Sequence, residues 1–319
     1  MATHTDSLRA LLTGLIDYAG LFPPSALSMK EAVAEYAKQR RSREAYALAR
    51  FIVPISRLAE FSEAASSHLA NGTIPSNVAA PEPWGLSVLL DVAFDEGLRT
   101  IDQFNESHAA GDGHTHKHAH SAVIDTIEIK VQTPEIIEKA IDKLPEDLFP
   151  FFELPVDGDF RSFATALAGT GYGAKLRTGG VVAEMIPTPE RVADFLVTMA
   201  QADVPVKCTA GLHHPFRSEQ ALTYKPDSPR AVMHGFVNVF FAAAAARALE
   251  ADIRTVTNIL KETSPEAFTF DDAGASWRTL KLTSEQLRNA REEFAICFGS
   301  CSFAEPVADL KTLGHAVAF

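Results

Sequence analysis

Cysteine, net positive charge and long apolar runs are all scarce in this 319-residue chain. The three cysteines, Cys208, Cys297 and Cys301, form no CxxC pair, and their odd number fits the reduced thiols of a cytoplasmic protein better than a disulfide framework. Lys and Arg number 29 against 41 Asp and Glu, a formal net charge of −12. So acidic a chain lacks the basic surface that nucleic acid or an anionic membrane needs, and neither is expected as a partner. The most apolar stretch, FVNVFFAAAAARALE, is too short for a membrane span, is interrupted by Asn238, and reads as a buried alanine-rich helix. The opening MATHTDSLRALLTGLIDYAG lacks the basic and apolar regions of a secretory signal. No G-x-G-x-x-G opens a helix, and neither a P-loop nor a G-x-S-x-G elbow occurs, so no cofactor is expected.

What is present is a rhythm. Short apolar runs at 14–22, 50–55, 85–92, 124–131, 150–156, 172–179, 204–211 and 294–300 read as strands. Amphipathic stretches at 28–40, 57–69, 94–108, 134–143, 160–168 and 189–202 read as helices, several opened by cap signals such as Ser28 and Thr188-Pro189. Eight strands alternating with helices predict a (β/α)8 TIM barrel, one domain over 1–319, with a short N-terminal helix. A doubly wound open sheet is the alternative. Between the last two strands, 213–293 breaks the rhythm. It holds the alanine-rich helix, a second helix near 252–263, and EAFTFDDAGASWRTL, which reads as a hairpin turned at DDAG. This segment is expected as an insertion on the catalytic face, acting as a lid. If the hairpin were instead a barrel strand, the first candidate strand would drop out. The stretch 71–83 is rich in turn residues.

The chemistry lies in charges placed inside strands. AKLRTGG and VPVKCTAGLHH each carry a lysine, Lys175 and Lys207, in the middle of a buried pattern. Strand alternation puts Lys175 with Arg177, Lys207 with Thr209, and Glu128 with Lys130 on shared faces; Glu153 sits on the fifth strand. Asp125 is out of phase with Glu128, so only one of the two should point inward. Buried charges cost several kcal/mol each unless paired, so such a cluster marks either a functional site or a self-satisfied ion network. A free lysine, with a pKa near ~10.4, is neutral in fewer than about one molecule in a thousand at pH 7, and bringing it to about 7 takes roughly 4 to 5 kcal/mol. Burial and a second cation can supply that shift and yield an amine able to attack a carbonyl.

These stretches resemble deoxyribose-phosphate aldolase and related class I aldolase barrels. LIDYAGLFPPSALSMKEAVAEYA is similar to that family's opening strand and helix, RFIVPISRLAEF to its second strand, VIDTIEIKV to the strand with a proton-moving Asp, and FFELPV to its fifth strand. AKLRTGG is similar to the strand of the Schiff-base lysine, VPVKCTAGL to the strand whose lysine tunes the first, and CFGSCSF to the phosphate-binding turn. The resemblance implies Lys175 as Schiff-base lysine, Lys207 as its pKa-lowering partner and Asp125 as proton relay. It also implies that Gly179, Gly211, Gly299 and Ser300 approach a phosphate or carboxylate. The chain departs from the family at Leu212, where a second glycine is lost, at Arg177, in LHHPFR and in the long insertion. A similar LIDDAAVFPPG-type opening belongs to bacterial proteins with no assigned activity.

The resulting expectation is a Schiff-base lyase of aldolase type acting on a small carbonyl substrate, an anionic one included. Lys175, Lys207, Asp125 and Glu153 would be catalytic. Glu128, Lys130, Arg177, Thr209, Gly211, His213, His214, Arg217, Gly299 and Ser300 would contact substrate. No metal is assigned, and a homo-oligomer is compatible with the sequence. Two alternatives stand beside it. One is a metal-dependent barrel enzyme using His213, His214 and His234 with Glu153 or Asp271 and Asp272, although adjacent histidines diverge and rarely share an ion. The other is a binder of small molecules without catalysis. HAAGDGHTHKHAH, with His108, His114, His116, His118 and His120, resembles a metal tract, but its place before a strand puts it on the face away from the chemistry. Cys208 should face the helices and be inert, whereas Cys301, after the last strand, is placed to touch a ligand.

Overall fold

The computed structural model describes residues 5–69, 82–108 and 121–312. Most of the 71–83 stretch and His114, His116, His118 and His120 lie outside the described residues.

In chain order the strands are β1 (Ile16–Tyr18), β2 (Leu48–Pro54), β3 (Trp84–Leu89), β4 (Ala122–Lys130), β5 (Phe149–Glu153), β6 (Gly173–Arg177), β7 (Val206–Thr209), β8 (Ser218–Ala221), β9 (Arg230–Met233), β10 (Phe268–Phe270), β11 (Gly274–Trp277), β12 (Leu280–Thr283) and β13 (Ala295–Ser300). The helices are α1 (Asp6–Leu12), α2 (Met29–Gln39), α3 (Leu58–Leu69), α4 (Phe94–His108), α5 (Pro134–Ile141), α6 (Phe160–Leu167), α7 (Pro189–Gln201), α8 (Phe236–Ala248), α9 (Ile253–Lys261), α10 (Ser284–Glu293) and α11 (Ala304–Thr312). Eight parallel strands close in the order β1-β13-β7-β6-β5-β4-β3-β2. The closed barrel bears out the (β/α)8 expectation and removes the open-sheet alternative. β1 is one of its staves, so the hairpin does not replace it.

Local chemistry accounts for the elements. Ser28 opens α2 with a reciprocal capping box to Glu31, and Thr188 caps α7 with Pro189 in its first turn. Outward strand positions are apolar. Phe51, Val53, Leu86, Val88, Ile127, Ile129, Phe152, Leu176 and Phe298 are all buried against the helical layer. Tyr18, Tyr36, Phe51, Phe61 and Trp84 stack on one flank of the barrel, and Phe236, Phe240 and Phe298 on another. Helix α8 packs on α7, α9 and α10, where its alanines let neighbouring backbones approach. The polar residue in its first turn, Asn238, is fully buried. It donates to the carbonyls of Ile259 and Glu262 at the end of α9 and accepts from the Arg217 amide, so every polar atom is used.

The 213–293 segment divides into a hairpin and a three-stranded sheet with different neighbours. The β8–β9 hairpin follows β7, at the C-terminal end of the barrel strands. The β10–β12 sheet, turned at DDAG as expected, packs instead on α1, α8 and α10, with Ser7 N–H donating to the Asp271 carbonyl and Asp6 N–H to Asp272 Oδ1. The sheet meets the first residues of α1 and α10, at Asp6, Ser7 and Ser284, and the Phe268 ring packs on Phe216 just after β7, so it lies against the outside of the helical layer. Of the lid expected over 213–293, the hairpin stands beside the mouth through Tyr224, whereas the three-stranded sheet packs on the outer helices.

Candidate active site

Strands β5, β6, β7 and β13 carry Glu153, Lys175, Lys207 and Cys297 in one register row. Register partners on parallel strands point the same way, so closing the barrel brings these side chains inside together. Glu128 on β4, Ser87 on β3 and Asp17 on β1 join them, all buried. Lys175 Nζ lies 2.5 Å from Glu128 Oε2 and 2.6 Å from Glu153 Oε2. Lys207 Nζ lies 2.8 Å from Glu128 Oε1, pairs with Asp17 Oδ2 and reaches Ser87 Oγ at 3.4 Å. Ser87 donates to Glu128 Oε1 at 2.6 Å, and Cys297 Sγ–H to Asp17 Oδ2 at 3.2 Å. The result is an alternating chain, Asp17–Lys207–Glu128–Lys175–Glu153, in which Glu128 spends one oxygen on each lysine. The Phe151 ring lies beneath Lys207, 5.5 Å from Nζ, and Gly173 leaves room for that ring, since a Cβ there would sit 2.5 Å from it.

The electrostatics divide the chain into a fixed half and an accessible half. Lys207 is fully buried. Burial works against its charge, but the Asp17 and Glu128 carboxylates outweigh it and push the ammonium above the ordinary lysine range. Burial likewise opposes the Glu128 carboxylate, and the Lys175 and Lys207 ammonium groups reverse this, holding it well below the usual carboxylate range. Glu128 therefore stays ionised as an anchor. Burial pushes the Cys297 thiol up, so it is a neutral donor to Asp17. Glu153, by contrast, is open to solvent over 15% of its side chain.

Above Lys175 is a cavity of about 340 Å³ at the C-terminal ends of the strands, the end at which barrels of this kind carry their chemistry. Its floor is Lys175, Glu128 and Glu153. One wall is apolar, from Phe22, Pro23, Pro24, Ile52 and Leu89, and is continued by Val181 and Met185 of the loop after β6. Arg177, Thr209, Gly211, His213, Gly299 and Cys301 are also in the lining. His213 Nδ1 is 3.1 Å from Glu305 Oε2, which also accepts from Tyr224 of the β8–β9 hairpin at 3.0 Å. With Nδ1 so engaged, Nε2 is the nitrogen available to a ligand.

Lys175, Glu153, Glu128, Arg177, Thr209, Gly211, His213 and Gly299 thus line one space. Other expected site residues lie elsewhere. Lys207 is shut off from the cavity, and Glu128 stands between it and Lys175, so the expected role of Lys207, a bare cation depressing the pKa of Lys175, is corrected to that of a counter-ion fixing Glu128. Asp125 is paired with Arg50, its Oδ1 2.6 Å from the Arg50 Nε. Arg50 is two residues nearer the N-terminal strand ends than the cavity residue Ile52. The register slips at this point: Leu86 pairs Ile124 and Ser87 pairs Thr126, so Asp125 is an extra residue on β4. Its pairing with Arg50, below the cavity, takes Asp125 out of the proposed proton relay. Lys130 is exposed and outside the lining.

The phosphate-binding turn also resolves differently. Ser300 Oγ donates to the Ser302 carbonyl at 2.7 Å, outside the lining. A Cβ on Gly179 would meet Gly211 Cα at 2.6 Å, and Gly211 has φ +76°. These glycines let the β6 and β7 loops cross backbone to backbone; Thr178 Oγ1 ties the crossing by donating to the Ala210 carbonyl at 2.7 Å.

His214 turns away from His213, its Nδ1 2.5 Å from Asp309 Oδ2. His234 Nε2 donates to the Pro187 carbonyl at 2.8 Å, and burial lowers its pKa to about 4, leaving it neutral. Arg217 packs against His234 Nδ1 at 3.4 Å and does not line the cavity. The three histidines therefore serve three separate partners, and among the described residues no group of three or more His, Cys, Asp or Glu side chains is arranged to hold a metal ion. Cys208 is buried, its thiol pushed up to about 12 by desolvation, and Cys301 lines the cavity. His108 stacks on Phe104, ring centroids 3.9 Å apart, and bonds that residue's carbonyl.

A scan against known protein families matches none of them. A search of curated proteins returns no match either. Among the described residues no helix is long and apolar enough to cross a membrane.

Several participants carried no recognised role in the sequence. Asp17 had the signal that singled out the lysines, a charge inside an apolar strand, but was read only as part of an opening strand. Ser87 and Glu305 gave no signal, because what places them is closure of the barrel and the packing of α11 beside the mouth.

Proposed function

We propose that this chain is a Schiff-base lyase of aldolase type, acting on a small carbonyl compound held above Lys175. One observation carries the reading: Lys175 is the amine at the floor of a largely apolar cavity, and it touches Glu153, a carboxylate that reaches both the cavity and solvent. In the proposed cycle the Lys175 ammonium gives its proton to Glu153. The free amine adds to the substrate carbonyl carbon, and the oxygen leaves as water, taking the proton back through Glu153, to give a protonated imine. The bond between the α and β carbons then breaks, and its electron pair flows to the imine nitrogen to form an enamine. The β-hydroxyl proton passes to Glu153 as the carbonyl fragment departs. The enamine carbon recovers that proton, and water hydrolyses the imine to free Lys175. Lys207 and Asp17 take no proton in this cycle; they hold Glu128, and Glu128 holds Lys175. The β8–β9 hairpin, tied through Tyr224 to Glu305 and so to His213, is the element suited to close over the mouth.

Imine formation exchanges a carbonyl oxygen with solvent whether or not a carbon bond is cleaved. In water enriched in oxygen-18, the protein should accelerate label uptake by a small oxo acid. Lys175→Met should return uptake to the uncatalysed rate while circular dichroism remains native. Uptake that persists in folded Lys175→Met refutes the reading. Uncatalysed exchange in the wild type, alongside tight binding of the oxo acid, leaves the non-catalytic binder instead.

A further inference from the structure

The charges and walls of the cavity select a substrate class. We infer that the site takes a monocarboxylate oxo acid with an apolar body, Arg177 receiving the carboxylate, and that it excludes sugar phosphates. The inference rests on the Schiff-base reading for the word substrate, but its geometry stands apart from that reading.

Charge comes first. Asp17, Glu128 and Glu153 face Lys175, Lys207 and Arg177, three charges of each sign. The two lysines are each consumed by two carboxylates. Arg177 is not: its nearest carboxylate oxygen, Glu153 Oε1, is 3.9 Å away, its side chain is 38% exposed, and it lines the cavity. A planar guanidinium in this position can meet a planar carboxylate through two parallel N–H bonds. One monoanion leaves a single excess negative charge in a balanced cluster, beside a mouth that solvent can screen. A phosphate dianion leaves two, and the second has no counter-charge in the half-buried site.

Donors come second. A phosphate would call on backbone amides and hydroxyls around its oxygens. The hydroxyl of Ser300, which the resemblance would have grip a phosphate, is spent on the Ser302 carbonyl and lies outside the lining. Walls come third. A sugar needs a polar partner for each hydroxyl, whereas Phe22, Pro23, Ile52, Leu89, Val181 and Met185 offer none through their side chains. Val182 and Met185 also leave apolar surface at the mouth, 46% and 38% exposed. The volume sits at the lower end of the roughly 300–1,000 Å³ usual for small-molecule sites, which suits a compact branched or aromatic body.

The test is equilibrium binding of compounds that lack a ketone, which separates recognition from imine chemistry. Calorimetry or ligand-observed NMR at constant ionic strength would compare 3-phenylpropanoate with glycerol phosphate. The carboxylate should bind at least about tenfold more tightly, and Arg177→Met should weaken it by about tenfold or more, the worth of a charge-assisted bidentate contact. Arg177→Lys keeps the charge but loses the fork and should fall between. Met185→Gln, at the exposed rim, should weaken 3-phenylpropanoate and leave acetate unchanged, and it serves if the Arg177 variants fail to fold. Glycerol phosphate binding as tightly as the carboxylate overturns the inference, as does an Arg177→Met affinity equal to wild type, or no binding of either compound. Failure here leaves oxygen exchange at Lys175 untouched, and failure of that exchange leaves carboxylate binding untouched, so the two ideas fall separately.

Discussion

Lys207→Met should lower the stability of this barrel by about 3 to 5 kcal/mol, read as a fall in the midpoint of urea unfolding. The ammonium removed is fully buried and serves Asp17 and Glu128 at once. Methionine fills much of the same volume, so the cost is not chiefly a cavity. It is two carboxylates left inside a closed barrel with fewer counter-charges: Asp17 keeps the Arg50 amide and the Cys297 thiol, and Glu128 keeps Lys175 and Ser87. A loss of this size is a large share of the roughly 5 to 15 kcal/mol by which domains are stable. The cause can be isolated. Removing the facing charge as well, in Lys207→Met with Asp17→Leu, should recover part of the loss, since a missing pair costs less than a widowed partner. A double variant as unstable as the sum of the single ones would mean that Lys207 acts through packing, and the account of the ion chain would fail.

Glu153→Gln should slow oxygen exchange by roughly 10² to 10⁴, the usual worth of one positioned proton carrier. The choice of Glu153 over Glu128 follows from their surroundings. Glu128 sits between two ammonium groups that hold it ionised, which makes it a poor acceptor of a proton. Glu153 touches Lys175 from the cavity side and has partial contact with solvent, so it can receive the proton of the amine and exchange it. Glutamine preserves shape and removes the basic oxygen. Binding of a ketone-free carboxylate should change little, since the proposed contact for that group is Arg177. Equal slowing of exchange and loss of binding would assign Glu153 to recognition rather than to proton transfer.

The barrel was legible because it is written in local alternation. Eight apolar runs separated by amphipathic stretches correspond to the eight staves, and Ser28 and Thr188 cap helices α2 and α7 as their neighbours predict. Lys175, Glu153 and Arg177 were legible for the related reason that a charge inside an apolar strand is costly and so conspicuous. What escaped depended on features without a local signature. The partner of Asp125 is Arg50, 75 positions away in the chain, and no periodicity argument sees that pairing. The role of Lys207 turned on Asp17, 190 positions away in the chain and adjacent only once β1 closes on β13 and β13 on β7. Gly179 and Gly211 looked like ligand cradles one at a time, yet each is small because the other is close. The 213–293 segment read as one lid because a sequence does not say which helices an inserted sheet will dock on. Its docking partners are the first helix of the chain and the helix that enters the last strand.

The most direct measurement is the mass of the peptide that carries Lys175 after the protein is mixed with a small apolar oxo acid and reduced with sodium borohydride. The account predicts one reduced adduct per chain, on Lys175, absent without the oxo acid and absent from Lys175→Met. An unmodified Lys175 under conditions where the ligand occupies the cavity, or an adduct carried by another lysine, would contradict it.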